Sequence, residues 1–266
     1  MIVAGFALLA VGAADLVRQF APRRWIGYLT VAVILLLLGS VSDALWPMIA
    51  GLAAGALWVW SMPSERRAPL GFWPAVLLGV LAVAAVVWLG PRDETGLIGD
   101  VWALRSPFGE IPFDLVVLSL GMGVFLLESA NLVVRAALDG EHTWRPSEAP
   151  ATTDAPMTTE APTTTEAPMT TGDLVPEAAT PVDPRSGFKG GRLIGPLERI
   201  LVLILTLAAA YPLLAAMLAA KGIVRFPEIS RDGETGARAE YFLVGSLVSW
   251  VIALGGAFVV WWAAHS

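Results

Sequence analysis

The chain has 266 residues, 56% of them hydrophobic and 15% charged, and a mean hydropathy of +0.68, which excludes an ordinary water-soluble enzyme domain. Its 17 Lys and Arg stand against 23 Asp and Glu, a net charge of −6, so no nucleic acid is expected as a main partner. The absence of Cys excludes disulfides, thiolate nucleophiles and Cys-based metal centres. Two His are too few for a His-rich cage, so neither metal nor cofactor is expected.

A bilayer core about 30 Å thick calls for roughly 20 apolar residues per helix, because each backbone N–H and C=O must be paired within its own segment. Taken in chain order, the apolar stretches run Ile2 to Val17, Ile26 to Val41, Ala44 to Met62, Phe72 to Leu89, Phe113 to Leu138, Leu193 to Ala220 and Tyr241 to Ala264. The expected fold is all-α: a polytopic transmembrane bundle of about seven helices. Residues 1–138 carry helices one to five, 139–191 form a disordered acidic Thr/Pro-rich linker, and 192–266 carry helices six and seven.

The first stretch resembles a secretory signal in length, but no Lys or Arg precedes its apolar run, and a retained helix is expected. The second and third stretches are separated by Gly39-Ser40-Val41-Ser42-Asp43 and Trp46-Pro47, turn chemistry that predicts a tight helical hairpin. Trp25, Trp46, Trp58, Trp60, Trp73, Trp88, Trp261 and Trp262 fall near the expected helix ends, where the amphipathic indole settles at headgroup level.

Between the fifth and sixth stretches the composition turns to Thr, Pro, Ala and acids, with four consecutive hexapeptides, APATTD, APMTTE, APTTTE and APMTTG, spanning Ala149 to Gly172. A repeat with one Pro and almost no large apolar side chain buries too little surface to offset chain entropy. Glu148, Asp154, Glu160, Glu166, Asp173, Glu177 and Asp183 meet no base between Ser147 and Pro184. A solvated spacer, a glycosylated stalk and a partner-reaching tether all fit that composition.

Cations assign orientation through short loops and helix flanks. With the N-terminus outside, Arg18, Arg23, Arg24, Arg66, Arg67, Arg135, Arg145, Arg185, Lys189, Arg192 and Arg199 lie inside. Arg92, Arg105, Lys221, Arg225, Arg231 and Arg238 then lie outside. The expected location is the bacterial cytoplasmic (plasma) membrane, multi-pass, with linker and C-terminus inside.

Ionisable residues within apolar segments are costly and are functional candidates for that reason. In the fifth stretch Asp114, Gly121, Glu128, Asn131 and Arg135 share one helical stripe. The candidate intramembrane polar site is therefore Asp114, Glu128, Asn131 and Arg135. The sharper reading has Glu128 carrying a proton or binding a cation or headgroup, and the plainer one has the stripe joining helices. A second candidate, a headgroup-binding or interhelical charge cluster, comprises Arg192, Glu198, Arg199, Lys221, Arg225 and Glu240, with Pro227 expected to end the sixth helix. Gly51-x-x-x-Gly55 and Gly245-x-x-x-Ser249 fit the small-xxx-small contact pattern. His142 and His265 sit at segment edges, and no GxSxG, HExxH or P-loop occurs.

The ordered motifs GGRLIGPLER, AAKGIVRF and EYFLVGSLVSW, from Gly190 to Trp250, resemble a C-terminal block of an uncharacterised bacterial polytopic membrane protein family. That resemblance covers about a quarter of the chain. It implies that Arg192, Glu198, Arg199, Lys221, Arg225, Glu240 and Tyr241 occupy the family's polar positions, and it implies no activity. The function expected is a non-enzymatic scaffold or accessory subunit, with membrane lipids and other membrane proteins as partners. The alternative is a small transporter or channel in which Glu128, Asn131 and Arg135 face Arg199 or Lys221. An intramembrane lipid-modifying enzyme ranks third.

Overall fold

The computed structural model describes residues 1–63, 70–90, 92, 96–106, 109–140, 191–230 and 237–266. Ten helices occur among them: α1 (Ile2–Phe20), α2 (Arg24–Val41), α3 (Leu45–Ser61), α4 (Trp73–Leu89), α5 (Gly96–Val101), α6 (Phe113–Leu127), α7 (Ser129–Gly140), α8 (Gly191–Leu207), α9 (Tyr211–Ser230) and α10 (Ala237–His265). Strands β1 (Arg105–Ser106) and β2 (Gly109–Glu110) form a two-residue antiparallel ribbon before α6. The segments on either side of the linker, Met1–Trp144 and Arg192–Ser266, fold as one compact unit. Apart from its ends in α7 and α8, the expected linker lies outside the described residues, as does His142.

Among the described residues, three helical segments are long and apolar enough to cross a membrane: Ile2–Phe20, Arg24–Val41 and Glu240–His265. The α6–α7 pair becomes a fourth if counted as one bent span, and Leu45–Ser61, Trp73–Leu89 and Tyr211–Val224 are shorter apolar helices. Two expected spans are therefore not single straight helices. The fifth stretch breaks at Glu128, where α6 and α7 meet at 49°. The sixth divides at Ala208–Ala210, with Ala209 at φ 53°, into α8 and α9. Glu198 and Lys221, nearly equidistant from Ala209, pair at 2.6 Å, so the chain reverses there. Lys221 accordingly lies within a helix and not at its exit, and α9 continues through Pro227 to Ser230.

The reversal between α2 and α3 falls where the turn chemistry placed it, with Asp43 at φ 48° and Pro47 in the first turn of α3. A short polar side chain tolerates that left-handed conformation better than most. Met48 and Ala44 pack back over Gly39, closing the hairpin.

The first helix is the interior helix of the bundle, with α6 on one flank and α3 on another. Its glycines make this possible. A Cβ at Gly5 would stand 2.9 Å from the backbone nitrogen of Leu118, and one at Gly12 would stand 2.7 Å from that of Phe125. Gly121 approaches the carbonyl of Gly5 from the opposite side. From α3, Gly51 meets Phe6 and Gly55 meets Ala10, so the small-xxx-small motif of the third stretch is a contact face. Gly245 makes only ordinary contact with Leu138 and Val134.

These contacts fix a register. Gly5 lies at Leu118 and Gly12 at Phe125, so α1 and α6 run in the same direction, and three residues further on Asp15 arrives at the break beside Glu128. In the opposite direction α10 passes α6 and α7, with Gly245 near Leu138 and Gly256 against Met122. The outer surface is apolar: Trp25, Trp46, Trp60, Trp73, Trp88, Trp261 and Trp262 are exposed on it. Trp58 is the exception, buried against Phe125 at a ring separation of 5.9 Å.

Candidate functional site

The polar stripe of the fifth stretch faces α1, but the bundle divides its charges between two ends. Asp114, in the first turn of α6, belongs to the end where α1 begins. There Arg92 grips it in a two-pronged bond, Nε to Oδ2 at 3.0 Å and Nη2 to Oδ1 at 2.8 Å. Its remaining nitrogen, Nη1, donates to the carbonyls of Ser42 and Asp43 at 3.1 and 3.2 Å. One guanidinium thus fastens the α2–α3 turn to the start of α6, satisfying carbonyls that a helix end leaves unpaired. Asp114 is accordingly separate from the other three members of the expected site.

At the other end, Glu128, Asn131 and Arg135 do come together. Asn131 donates through Nδ2 to Glu128 Oε2 and to the Leu127 carbonyl, both at 3.3 Å. Arg135 lies 4.0 Å from Glu128 Oε1, with its side chain more than half exposed. Across from them, Arg199 of α8 donates to Asn131 Oδ1 at 2.6 Å and to Ser249 Oγ of α10 at 2.8 Å, and reaches the Leu126 carbonyl at 3.5 Å. Only 4% of Arg199 is exposed. The expected flank arginine is therefore an interior residue that fastens the broken helix to α8 and α10.

Sequence reasoning missed the partner of this cluster on α1. Asp15, 1% exposed, accepts from Trp58 Nε1 at 2.8 Å and from Arg18 Nη1 at 3.1 Å. Ser129, buried at the break, lies next to it. Arg18 also donates to the Met62 carbonyl at 2.7 Å and to that of Val59, so it closes the C-terminal end of α3. The available signal was the spacing: Asp15 and Arg18 are one turn apart and separate an apolar run from its flank.

Between these groups opens a cavity of about 180 Å³ lined by Asp15, Arg18, Gln19, Arg24, Glu128, Leu132 and Arg135. A second, apolar cavity of about 220 Å³, lined in part by Leu78, Val83, Met122, Val251 and Gly255, lies among α4, α6 and α10. Phe125 lines the second cavity and meets Trp58, whose indole is bonded to Asp15 at the first.

The expected charge cluster of the C-terminal segment is only partly a cluster. Glu198 accepts from Lys221 Nζ at 2.6 and 2.7 Å and from Trp250 Nε1 at 2.8 Å. The Lys221 ammonium also stands over the Trp250 and Phe242 rings, at 5.4 and 5.8 Å. Arg199, one residue on, turns to the Asn131 network instead. Arg192 and Arg225 lie in α8 and α9, their side chains outside the described residues, and Glu240 is exposed near the start of α10. His265 ends α10, its Nδ1 2.7 Å from the Trp261 carbonyl. Among the described residues, no group of three or more His, Asp or Glu could hold a metal ion.

No protein-family model, curated protein or solved structure matches the chain.

Proposed function

We propose that the chain is a multi-pass protein of the bacterial cytoplasmic membrane and serves there as a non-enzymatic scaffold or accessory subunit, its acidic linker reaching membrane partners from the cytoplasmic side. The observation that carries this reading is how the buried charges are used. Asp15, Asp114 and Arg199 all contact residues of the same bundle, and those contacts join remote segments: α1 to α3, the loop before α5 to α6, and α7 to α8 and α10. Such bonds hold helices together. They leave the linker, with its repeats and seven acids, as the part whose composition is suited to reaching outward.

The reversal at Ala209 supports a topology other than the expected one. With α1 to α4, the bent α6–α7 pair, α8, α9 and α10 each crossing, the chain makes eight passes, and both termini lie outside. Lys221, Arg225, Arg231 and Arg238 then move to the linker side. Every one of the 17 Lys and Arg except Arg92 and Arg105 shares that side, an asymmetry that supports a cytoplasmic linker strongly. Because the chain has no Cys, single-cysteine labelling reads this directly. Ser266→Cys and Gly109→Cys are expected to label from outside intact cells, and Thr164→Cys only after permeabilisation. Labelling of Thr164→Cys in intact cells would reverse the orientation.

A second reading, a small transporter or channel, is favoured by one feature: a buried carboxylate at a helix break beside a cavity, the arrangement of discontinuous-helix transport sites. Two measurements on one preparation separate the readings. For a scaffold, deleting residues 149–172 reduces partner recovery in affinity purification, while Glu128→Gln leaves proton and cation flux in proteoliposomes at the wild-type level. Flux abolished by Glu128→Gln, with recovery indifferent to the deletion, would replace the scaffold by a transporter.

A further inference from the structure

The cavity at the helix break has a lining of both signs, arranged by depth. Asp15 and Glu128 lie at its inner side, 1% and 8% exposed. Arg24 and Arg135 are exposed at its outer side. Arg18 is turned inward, committed to Asp15 and to the Val59 and Met62 carbonyls at the end of α3. A lone phosphate entering here would approach two carboxylates, and a lone cation would have to pass two guanidinium groups. A dipolar molecule, cationic at its inner end and anionic at its outer end, satisfies both. From these contacts we infer that the cavity binds a zwitterionic aminophosphate, the phosphoethanolamine headgroup of a membrane lipid, with its ammonium toward Glu128 and its phosphate between Arg24 and Arg135.

Three further features support that assignment. Arg24 opens α2, whose N-terminus has no side-chain cap, so the helix dipole favours an anion at the same place. Phe20 and Trp25, the neighbours of Gln19 and Arg24, are each 68% exposed. A Trp so placed marks the boundary between acyl chains and headgroups, which puts the cavity's mouth at headgroup level and favours a lipid over a free solute. The cavity, about 180 Å³, is below the roughly 300–1,000 Å³ of a drug-sized site, suiting a headgroup rather than a whole lipid. An ammonium is preferred over a quaternary amine because only the former donates hydrogen bonds to a carboxylate.

This inference rests on the membrane reading above but not on the scaffold reading, and its experiment measures lipid preference without reference to partners. Full-length protein in detergent is titrated with phosphatidylethanolamine, its N-monomethyl and N,N-dimethyl derivatives, phosphatidylcholine and phosphatidylglycerol, and occupancy is read by native mass spectrometry. Wild type is expected to bind phosphatidylethanolamine about tenfold more tightly than phosphatidylcholine, the factor carried by one charge-assisted hydrogen bond, with affinity falling along the methylation series. Glu128→Gln removes that preference, and Arg24→Gln with Arg135→Gln weakens binding of phosphatidylethanolamine and phosphatidylglycerol alike. The methylation series uses wild type alone, so a variant that fails to fold does not spoil the test. Equal affinity for phosphatidylethanolamine and phosphatidylcholine, or tighter binding of phosphatidylglycerol, would overturn the proposal. Free O-phosphoethanolamine is added as competitor: failure to displace the lipid fits the membrane source, and displacement at matched concentration would overturn it in favour of a soluble aminophosphate.

Discussion

Gly12→Leu is expected to be the most damaging single change in the bundle. The Cβ it adds falls 2.7 Å from the backbone nitrogen of Phe125 and 2.8 Å from the backbone carbon of Val124. Neither can turn aside as the end of a long side chain would, so α1 and α6 must separate along their whole contact. That separation also pulls Asp15 away from the helix break. Overpacking a well-filled interior typically costs about 1–3 kcal/mol, and a backbone obstacle at the central helix belongs at or beyond the upper figure. A loss of about 3 kcal/mol corresponds to a melting temperature lower by roughly 6–12 °C for a chain of this size. The control is Gly79→Ala in α4, where an added Cβ meets nothing within 4 Å. Thermal unfolding of purified protein in detergent, with size-exclusion profiles before heating, measures both. Gly12→Leu melting together with Gly79→Ala would show that α1 and α6 do not meet at Gly12.

The hydrophobic pattern located the helices well, and what it missed has identifiable causes. The bounds of α2, α3, α4 and α10 fall near the ends of the apolar stretches, because hydropathy reports directly which backbone can be placed in lipid. The α2–α3 reversal was visible in local residues, Gly39 through Asp43. The division at Ala209 was visible too, in Pro212: a proline disfavours helix in the residue before it and provides no N–H for the carbonyl four residues back. An unbroken apolar run masked that signal. The break at Glu128 has no proline or glycine at its centre. Asn131 takes the Leu127 carbonyl locally, while Arg199 reaches that of Leu126 from α8, a tertiary bond that no single segment encodes.

The candidate site was legible to the same degree. Helical periodicity put Asp114, Glu128, Asn131 and Arg135 on one stripe, and α1 does pack on its first half. Periodicity says which residues share a face, however, and not which partner each meets. By sequence Arg92 and Arg18 are only flanking charges, yet each closes a helix end and pairs with a buried aspartate. Orientation counts treat all cations as equivalent. In the folded chain these two, with Arg199, are interior connectors, whereas Arg24 and Arg135 remain at the surface.

Asp15→Ala is the second change with a large expected effect, and it tests whether the buried network at the break stabilises the fold. In wild type the carboxylate accepts from Trp58 and Arg18, with side-chain exposures of 0% for Asp15 and 8% for Arg18. Truncation leaves the guanidinium with the Val59 and Met62 carbonyls but without a counter-charge, and leaves the Trp58 N–H without its acceptor. Removing one partner of a buried ion pair costs about 3–5 kcal/mol in soluble proteins. Interhelical polar contacts in membranes average nearer 0.6 kcal/mol, since the unfolded chain finds other partners there, so the lower figure of about 3 kcal/mol is the one expected. Asp15→Ala with Arg18→Met removes the stranded charge, and the double variant is expected to be more stable than Asp15→Ala alone. Asp15→Asn keeps an acceptor for Trp58 and falls between Asp15→Ala and wild type. Denaturant titration in mixed micelles, arranged as a double-mutant cycle, gives the coupling. Additive losses at Asp15 and Arg18 would mean that the two do not act as a pair, and that the carbonyls at the end of α3 alone hold the arginine in place.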